Sequence, residues 1–349
     1  MKRFMRRAML PGIALAALLA TTACAPATES AAPEVEVEEG GLAEMTTVKV
    51  GLSGKIAYYL PYLMEEHWGE FAKQNIKLEI EYAPAPDALV LMSTGRIDAM
   101  VTGPSANMLN AVAMGTELRM VAPGGVEDDE SVNGWYVGTK ALDGAEFEVS
   151  MLKGKTLASS SGVAGPPLLT LSETLEEAGL TLADVEIASM KQTDAVIALE
   201  NGAIFGATAS HPNTATIAEA KSGIMFARSA PKGWPSTSVF FGPNLLSDKP
   251  EVGEAFVRAL ANIYKNHMQG DFMHTDENIE LIAQVLETDV DVVRDIPSAV
   301  YPTEMSFPEG YFEAYENVYR QIPEVLSYDA DTSVADRMID LRFIEALKK

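Results

Sequence analysis

The chain has 349 residues, of which 47% are hydrophobic, and its 50 acidic and 26 basic residues give a net charge of −24. This length is enough for two domains with cores of ordinary size, and so acidic a surface disfavours binding to nucleic acid and to anionic lipid. The single cysteine excludes a disulfide within the chain, so stability has to come from packing.

The first 23 residues are typical of a secretory signal peptide. Basic residues from Lys2 to Arg7 precede an apolar stretch at 8–20, which is shorter than the roughly 20 residues that span a bilayer. Cys24 follows a run of small residues, which predicts cleavage before it and a lipid on its thiol. Thr21 replaces the bulky aliphatic residue usual at that position, so an ordinary signal peptide with an incidental cysteine is the alternative.

The segment 24–46 is predicted to be a disordered tether. It consists mostly of Ala, Pro, Glu, Thr and Gly, with an acidic run from Glu34 to Glu39. Such a segment has too little apolar surface to bury and shows no helical period, so we expect it to link the lipid to the folded part without a fixed structure.

Strand and helix patterns alternate from Thr47 onward. Alternating β-branched residues predict strands, and apolar residues at i, i+3 and i+4 predict helices. This alternation indicates an α/β fold with mainly parallel sheets flanked by helices. The predicted strands are 47–52, 76–82, 98–102 and 117–122, and the predicted helices are 58–74, 88–93 and 105–114, the last with Ser105 as its cap.

An internal repeat predicts two lobes of similar construction. The pattern from Asp87 to Ala99 recurs from Asp194 to Gly206 at a constant separation of 107 residues. Both copies predict a helix, a glycine stop and a strand, although two amphipathic helices can also be similar by chance. We expect lobe 1 to comprise 47–134 and 236–349, and lobe 2 to comprise 135–235. After a returning strand at 238–241, the C-terminal helices are predicted at 251–268, 278–286, 308–322 and 333–347.

Polar turns follow several predicted strands, at the sheet edge where α/β proteins bind ligands. Glycines let a ligand approach the backbone, and the N–H groups at a helix start can bind an anion or a polar head. Ser and Gly are also common in ordinary turns, which is the alternative for each position. The candidate ligand-binding residues in these turns are Ser53, Lys55, Gly103, Ser105, Ser160, Ser161, Gly162, Gln192, Thr193 and His211.

Three aromatic residues are further candidates for the ligand site. Tyr58 and Tyr59 follow the first strand turn, and Trp135 lies at the expected crossing between lobes. Flat rings at a cleft suit a planar or apolar ligand. Packing in the core or at the hinge is the alternative for all three.

Sequence signals for catalysis and for metal binding are weak. The four histidines, which are His67, His211, His267 and His274, show no metal-ligand spacing, and no serine lies in a Gly-x-Ser-x-Gly motif. We therefore expect no enzymatic activity, no metal and no cofactor.

Several short pieces, taken in their order and spacing over about 47–265, resemble the nitrate/sulfonate/taurine and thiamine-precursor binding proteins of ABC importers. The resemblance implies a two-lobed fold of the periplasmic-binding-protein type 2, with a helical C-terminal region and a ligand between the lobes. The pieces are Val48–Gly51, Trp68–Phe71, Ile76–Ile80, Ala88-Leu89, Ser93–Ala99, Leu152–Ala158 with Gly162, Gly179-Leu180, Asp184-Val185, Asp194-Ala195 and Gly202.

Three positions depart from that family's pattern. Val163 stands where the family often has a serine, Phe205 where it often has an acid, and His211 where it often has a tryptophan. Loss of the serine hydroxyl weakens the case for a sulfonate. A planar, mostly neutral ligand with one polar or acidic group is therefore favoured over an organic oxyanion, for which Lys55 would be the countercharge.

The resemblance implies a monomeric, extracytoplasmic binding protein, held on the membrane through Cys24, that delivers a small molecule to ABC permease and ATPase subunits. Two alternatives stay open. One is an enzyme like the pyrimidine synthase of thiamine synthesis, which has the same fold. That enzyme carries a cysteine-rich motif, and the single cysteine here speaks against it. The other is a sensory or adhesive lipoprotein.

Overall fold

A computed structural model describes residues 37–38, 40–126 and 128–348, so the predicted signal peptide and Cys24 lie outside the described residues. Ten strands lie within the described residues and form two sheets of five strands each. The strands are β1 Thr46–Leu52, β2 Ile76–Tyr82, β3 Ala99–Thr102, β4 Arg119–Pro123, β5 Gly134–Gly138, β6 Thr156–Ser159, β7 Glu186–Ser189, β8 Gly206–Ala209, β9 Gly223–Arg228 and β10 Ser238–Phe241.

Thirteen α-helices accompany these strands in the described part of the chain, and none of them is long and apolar enough to cross a membrane. The helices are α1 Leu60–Leu63, α2 Glu65–Trp68, α3 Ala85–Ser93, α4 Ala106–Ala113, α5 Thr139–Leu142, α6 Leu168–Glu177, α7 Gln192–Asn201, α8 Asn213–Ala220, α9 Pro250–His267, α10 Asn278–Leu286, α11 Val290–Arg294, α12 Tyr311–Arg320 and α13 Arg342–Ala346.

The two sheets have the same construction. Their strand orders are β2-β1-β3-β10-β4 and β7-β6-β8-β5-β9, and each has one antiparallel strand, β10 or β5, next to the last strand. In the first sheet Val50 pairs with Ala99, and in the second Leu157 pairs with Gly206. Leu157 and Gly206 each lie 107 residues after their counterparts Val50 and Ala99, which is the separation found in the sequence repeat. The predicted fold class, two lobes of mainly parallel sheets flanked by helices, is confirmed.

Helix α9 provides the main hydrophobic face against the first sheet. Pro250 stands in its first turn, where the missing N–H has no intrahelical partner to lose. Buried side chains then recur at helical spacing and include Phe256, Leu260 and Tyr264. Phe256 lies 4.8 Å from the ring of Phe71 and 5.5 Å from that of Phe241 on β10. The C-terminal helices thus complete the core of the first lobe.

Helix α12 contacts both lobes through a column of buried tyrosines. Tyr311, Tyr315 and Tyr319 are spaced four residues apart and are at most 1% exposed. The Tyr311 hydroxyl donates to the carbonyl of Pro235 at 2.9 Å, and the Tyr319 hydroxyl to that of Pro104 at 3.2 Å. Pro104 belongs to the turn after β3, so α12 supports one of the turns predicted to bind the ligand.

Several predicted elements differ from the structure. The helix predicted at 58–74 is divided into short helices. The first break falls at Met64, between α1 and α2, and the second at Gly69, whose left-handed conformation with φ of 64° ends α2. The helix predicted at 333–347 consists of a 3₁₀ turn at Ala335–Arg337 and the short α13. Ser105 precedes α4, but its side chain makes no capping hydrogen bond.

The described end of the predicted tether is attached to the first lobe. The backbone N–H of Glu38 donates to the carbonyl of Lys73, and its carboxylate accepts from the amides of Gln74 and Asn262. Arg258 donates to the carbonyl of Gly40. These partners are distant in sequence, and composition alone gives no sign of such contacts. The sequence therefore predicts disorder up to residue 46, whereas the contacts of the described residues begin at Glu38.

Candidate ligand-binding site

A pocket of about 310 Å³ lies where turns of both sheets meet the C-terminal helices, and half of the residues around it are apolar. This volume is at the lower end of the range for pockets that hold small ligands. The turn after β1, the crossing segment before β5, the turn after β8 and the α10–α11 region each supply one wall. The lining residues are Lys55, Ile56, Ala57, Tyr58, Val126, Asp128, Ser131, Val132, Asn133, Ser210, His211, Pro212, Leu286, Glu287, Thr288, Val292, Ile296, Pro297, Ser298 and Ala299.

Lys55 already has an ionic partner in this pocket. Its ammonium lies 2.7 Å from a carboxylate oxygen of Glu287, the residue that ends α10. Their hydrogen bond raises the pKa of Lys55 above its ordinary value. Lys55 was predicted to be the countercharge for an oxyanion. Such a ligand would therefore have to compete with the Glu287 carboxylate for the Lys55 ammonium.

A hydrogen-bonded series connects three walls of the pocket. The amide nitrogen of Asn133 donates to the Tyr58 hydroxyl at 3.1 Å, and the amide oxygen of Asn133 accepts from the backbone N–H of His211 at 3.1 Å. Asn133 stands directly before β5, while Tyr58 and His211 belong to the two strand turns. A single side chain thus links the Tyr58 ring of the first lobe to the backbone of the second lobe at His211.

The imidazole of His211 faces the pocket from the second lobe and packs against α11. Burial lowers the pKa of His211 below its ordinary value of 6.5, and the charge of Asp295 and a hydrogen bond with the backbone of Val292 offset this only in part. The buried Nε2 atom has no hydrogen-bond partner within the described residues. At neutral pH the ring is therefore uncharged.

We expect His211 to make the protein less stable as the pH falls below 6.5. The unfolded chain then takes up the proton first, so the free energy of unfolding decreases until the lower folded-state pKa is passed and is unchanged above 6.5. Melting temperatures between pH 7.5 and 5.5 should fall less for His211→Gln than for the wild type. His67→Gln is the control for the change from histidine to glutamine, because His67 is exposed and does not line the pocket. Equal pH dependence of the wild type and His211→Gln would contradict this assignment.

Ser53 and Tyr59, both predicted to bind the ligand, contact each other instead of lining the pocket. Their hydroxyl oxygens lie 2.9 Å apart, and Tyr59 is 3% exposed. Burial raises the pKa of Tyr59. In this structure the pair stabilises the turn that presents Tyr58, so its contribution to the pocket is indirect.

Gly103 lies where the two lobes touch. A Cβ atom on this residue would be 2.6 Å from Cγ of Pro166, which precedes α6 in the second lobe, and 2.9 Å from the carbonyl oxygen of Ser236. Only a residue without a side chain fits between these neighbours. Neither Gly103 nor Ser105 lines the 310 Å³ pocket.

The predicted site residues in the turns after β6 and β7 lie outside this pocket. Ser160, Ser161 and Thr193 are exposed, and Gly162 is buried with a φ of 55°. Gln192 does not line the pocket but holds Ser210, which does. Its side-chain oxygen accepts hydrogen bonds from both the backbone N–H and the hydroxyl of Ser210. Of the thirteen predicted ligand residues, the structure brings Lys55, Tyr58 and His211 together.

Trp135 belongs to the core and not to the pocket wall. Its side chain is fully buried, and the indole N–H donates to the carbonyl of Pro167 at 2.8 Å. It packs in a hydrophobic cluster that includes Leu157 and Phe240 and hence residues of both sheets. This burial agrees with the alternative of core packing, and a contact of Trp135 with a ligand stays a prediction.

Sequence reasoning missed the wall formed by α10, α11 and the segment after them. Leu286, Val292 and Ile296 belong to helical patterns that look like ordinary core packing, and they lie more than 200 residues after Lys55 in sequence. Asn133 was missed as well. Its position directly before a β-strand at the lobe crossing was the available signal.

The "NMT1/THI5 like" family model matches residues 56–270, which is more than half of the chain. The chain belongs to the NMT1/THI5-like family. The match begins in the turn that carries Tyr58 and ends after α9, so it includes both sheets except β1. A search of curated proteins found no match.

Solved structures with the same fold include three binding proteins. The putative periplasmic sulfonate-binding protein SsuA from Methylobacillus flagellatus is 22% identical, with a TM-score of 0.63 over 88% of this chain and 95% of that chain. The alkanesulfonate-binding protein SsuA from Xanthomonas axonopodis, bound to MOPS, is 18% identical, with a TM-score of 0.61 over 81% and 96%. The periplasmic nitrate-binding protein NrtA from Synechocystis is 15% identical, with a TM-score of 0.63 over 87% and 89%. At these identities the likeness shows that this member of the NMT1/THI5-like family has their fold.

Proposed function

We propose that this protein is the extracytoplasmic solute-binding component of an ABC importer. The supporting observation is a pocket lined by turns of both lobes in a chain of this family and fold. Closing two lobes around a solute buries the solute and changes the surface that a permease would contact. The periplasmic sulfonate- and nitrate-binding proteins among the structural neighbours support the same role.

The ligand we propose is a small, planar and mostly uncharged organic molecule. The apolar lining and the Tyr58 ring suit a flat ligand. Lys55, the one lysine or arginine among the described lining residues, is already paired with Glu287, which favours an uncharged ligand over an anion. An organic oxyanion is the competing class, because sulfonates and nitrate are what the similar proteins are named for binding.

Binding rather than catalysis is proposed because two titratable groups of the described pocket, Lys55 and His211, already make structural contacts. Lys55 pairs with Glu287, and His211 contacts the backbone of Val292. A general acid or base has to reach a reacting group with its proton available. The partners we propose are permease and ATPase subunits, with the binding protein itself monomeric.

A thermal-shift screen tests this function. It should include pyrimidines and other uncharged heteroaromatics, aromatic acids, sulfonates and nitrate. A ligand present at 100 times its Kd adds about 2.7 kcal/mol to the free energy of unfolding. A hit that cells import only when this gene is intact, and that purified protein leaves chemically unchanged, supports the proposal. A hit that the protein converts into a product would support the enzyme alternative.

Lipid anchoring through Cys24 is a separate proposal with its own test. Cys24→Ala should move the protein from the membrane fraction to the soluble extracytoplasmic fraction, because the variant cannot carry the acyl chains that stable attachment requires. Fractionation followed by immunoblotting measures this, and Ser30→Ala in the same segment is the control. Retention of Cys24→Ala in the membrane fraction would exclude the lipid anchor.

A further inference from the structure

The charges around the pocket disfavour an anionic ligand. Among the described lining residues Lys55 is the only lysine or arginine, whereas Asp128 and Glu287 are both acidic. The Lys55 ammonium lies 2.7 Å from Glu287, and His211 is held uncharged by burial. An incoming oxyanion would thus meet one cation that is already neutralised.

Glu287 has a backbone conformation that glycine adopts more easily, yet it carries a side chain that lines the pocket. Glu287 follows α10 with φ of 56° and ψ of 45°, the left-handed conformation that favours glycine at the end of a helix. A larger residue is strained there, and such strain is often found at functional positions. A glutamate at this position places a carboxylate at the pocket, which glycine could not do.

Helix α10 adds partial negative charge to the same wall. Leu286, Glu287 and Thr288, at its C-terminal end, line the pocket. The unpaired carbonyls at the end of a helix carry roughly half a negative charge and repel anions nearby. The wall next to Lys55 thus contains the C-terminal end of a helix, which disfavours an oxyanion, and not an N-terminal end, which would favour one.

The backbone donors at the opposite wall are already in use. In the turn before α8, the N–H of Ser210 donates to Gln192, and the N–H of His211 donates to Asn133. The next residue, Pro212, has no N–H. This turn was predicted to offer donors to an anion, but here its donors are occupied by side chains of the protein.

We propose that Glu287 is a specificity-determining residue that keeps organic oxyanions out of the pocket by pairing with Lys55. This inference rests on the proposed solute-binding function and restricts its ligand to uncharged or cationic molecules. Glu287→Gln removes the carboxylate while keeping the size of the side chain, so the Lys55 ammonium becomes available to an anion.

Calorimetric titration with ethanesulfonate at low salt tests the proposal on purified wild type, Glu287→Gln, Glu280→Gln, Lys55→Gln and the double variant Lys55→Gln/Glu287→Gln. Glu280 is an exposed residue of α10 that does not line the pocket, so its variant controls for the loss of one charge on that helix. Because both partners of the ion pair are partly exposed, we expect a gain in affinity of about fivefold for Glu287→Gln. The gain should disappear in the double variant and in 0.5 M NaCl (roughly a 4 Å Debye length).

Three outcomes would overturn the proposal. They are equal ethanesulfonate affinity of wild type and Glu287→Gln, an equal gain in Glu280→Gln, and tight wild-type binding that depends on Lys55. Melting curves of all variants establish that each is folded. The importer role is tested by uptake and by the ligand screen, so it can stand or fail independently of these titrations.

Discussion

Replacing Trp135 by alanine should destabilise the protein by about 3–5 kcal/mol, the usual range for removing a large aromatic residue from a core. Trp135 is fully buried in a hydrophobic cluster that includes residues of both sheets, so its removal leaves a cavity in that core. The carbonyl of Pro167 also loses the indole N–H at 2.8 Å. Urea unfolding of wild type and variant, compared at equal slope, measures the loss.

Tyr58→Ala and Trp135→Phe are the matched controls for this experiment. Tyr58 lines the pocket, so its truncation should weaken ligand binding more than stability. Trp135→Phe keeps most of the apolar volume and should cost less than Trp135→Ala, since it mainly removes the hydrogen bond to Pro167. A Trp135→Ala protein of wild-type stability that cannot bind ligand would restore the expectation from sequence that this ring contacts the ligand.

The sheet architecture was predictable because its signals are local. Alternation in β1 and β2 and helical spacing in α9 give the element types, and the repeat between Asp87 and Asp194 gives the relation between the lobes. Positions such as Gly69 are harder to predict. The residues from Tyr58 to Gln74 have continuous helical spacing, yet the helix is interrupted at Met64 and ends at Gly69, which adopts a left-handed conformation.

The pocket was less predictable than the fold because its contacts join distant segments. Lys55 and Glu287 are 232 residues apart, and no local pattern indicates their ion pair. Trp135 illustrates the opposite difficulty: an aromatic residue at a lobe crossing suits a ligand wall and a shared core equally well. Burial decides between them, and burial depends on the packing of both sheets.

Gly103→Ala should push the lobes apart where Gly103 meets Pro166 and weaken ligand binding. The new Cβ atom would lie 2.6 Å from Cγ of Pro166 and 2.9 Å from the carbonyl of Ser236. Real Cβ contacts are longer, so one of these neighbours has to move. Overpacking of this kind costs about 1–3 kcal/mol. If this free energy destabilises the ligand-bound arrangement of the lobes and not the unbound one, the affinity for the ligand decreases about 5- to 150-fold.

A second substitution separates lobe closure from general strain. Pro166→Ala removes the Cγ atom and leaves Cβ of residue 166 at 3.6 Å from the new Cβ, an ordinary contact. The double variant Gly103→Ala/Pro166→Ala should therefore regain most of the affinity, and the two effects should not add. Strain against Ser236 alone predicts no such rescue, because Pro166→Ala leaves that contact unchanged.

Small-angle X-ray scattering reports the opening without a known ligand, and titration with a hit from the ligand screen reports the affinity. Gly54→Ala is the control, because a Cβ atom there meets nothing within 4 Å. Its scattering curve should match that of the wild type, whereas Gly103→Ala should show a larger radius of gyration. Identical curves and affinities for the two variants would mean that the contact between Gly103 and Pro166 does not limit closure. The lobes would then have to be held together mainly by the buried contacts around Trp135 and α12.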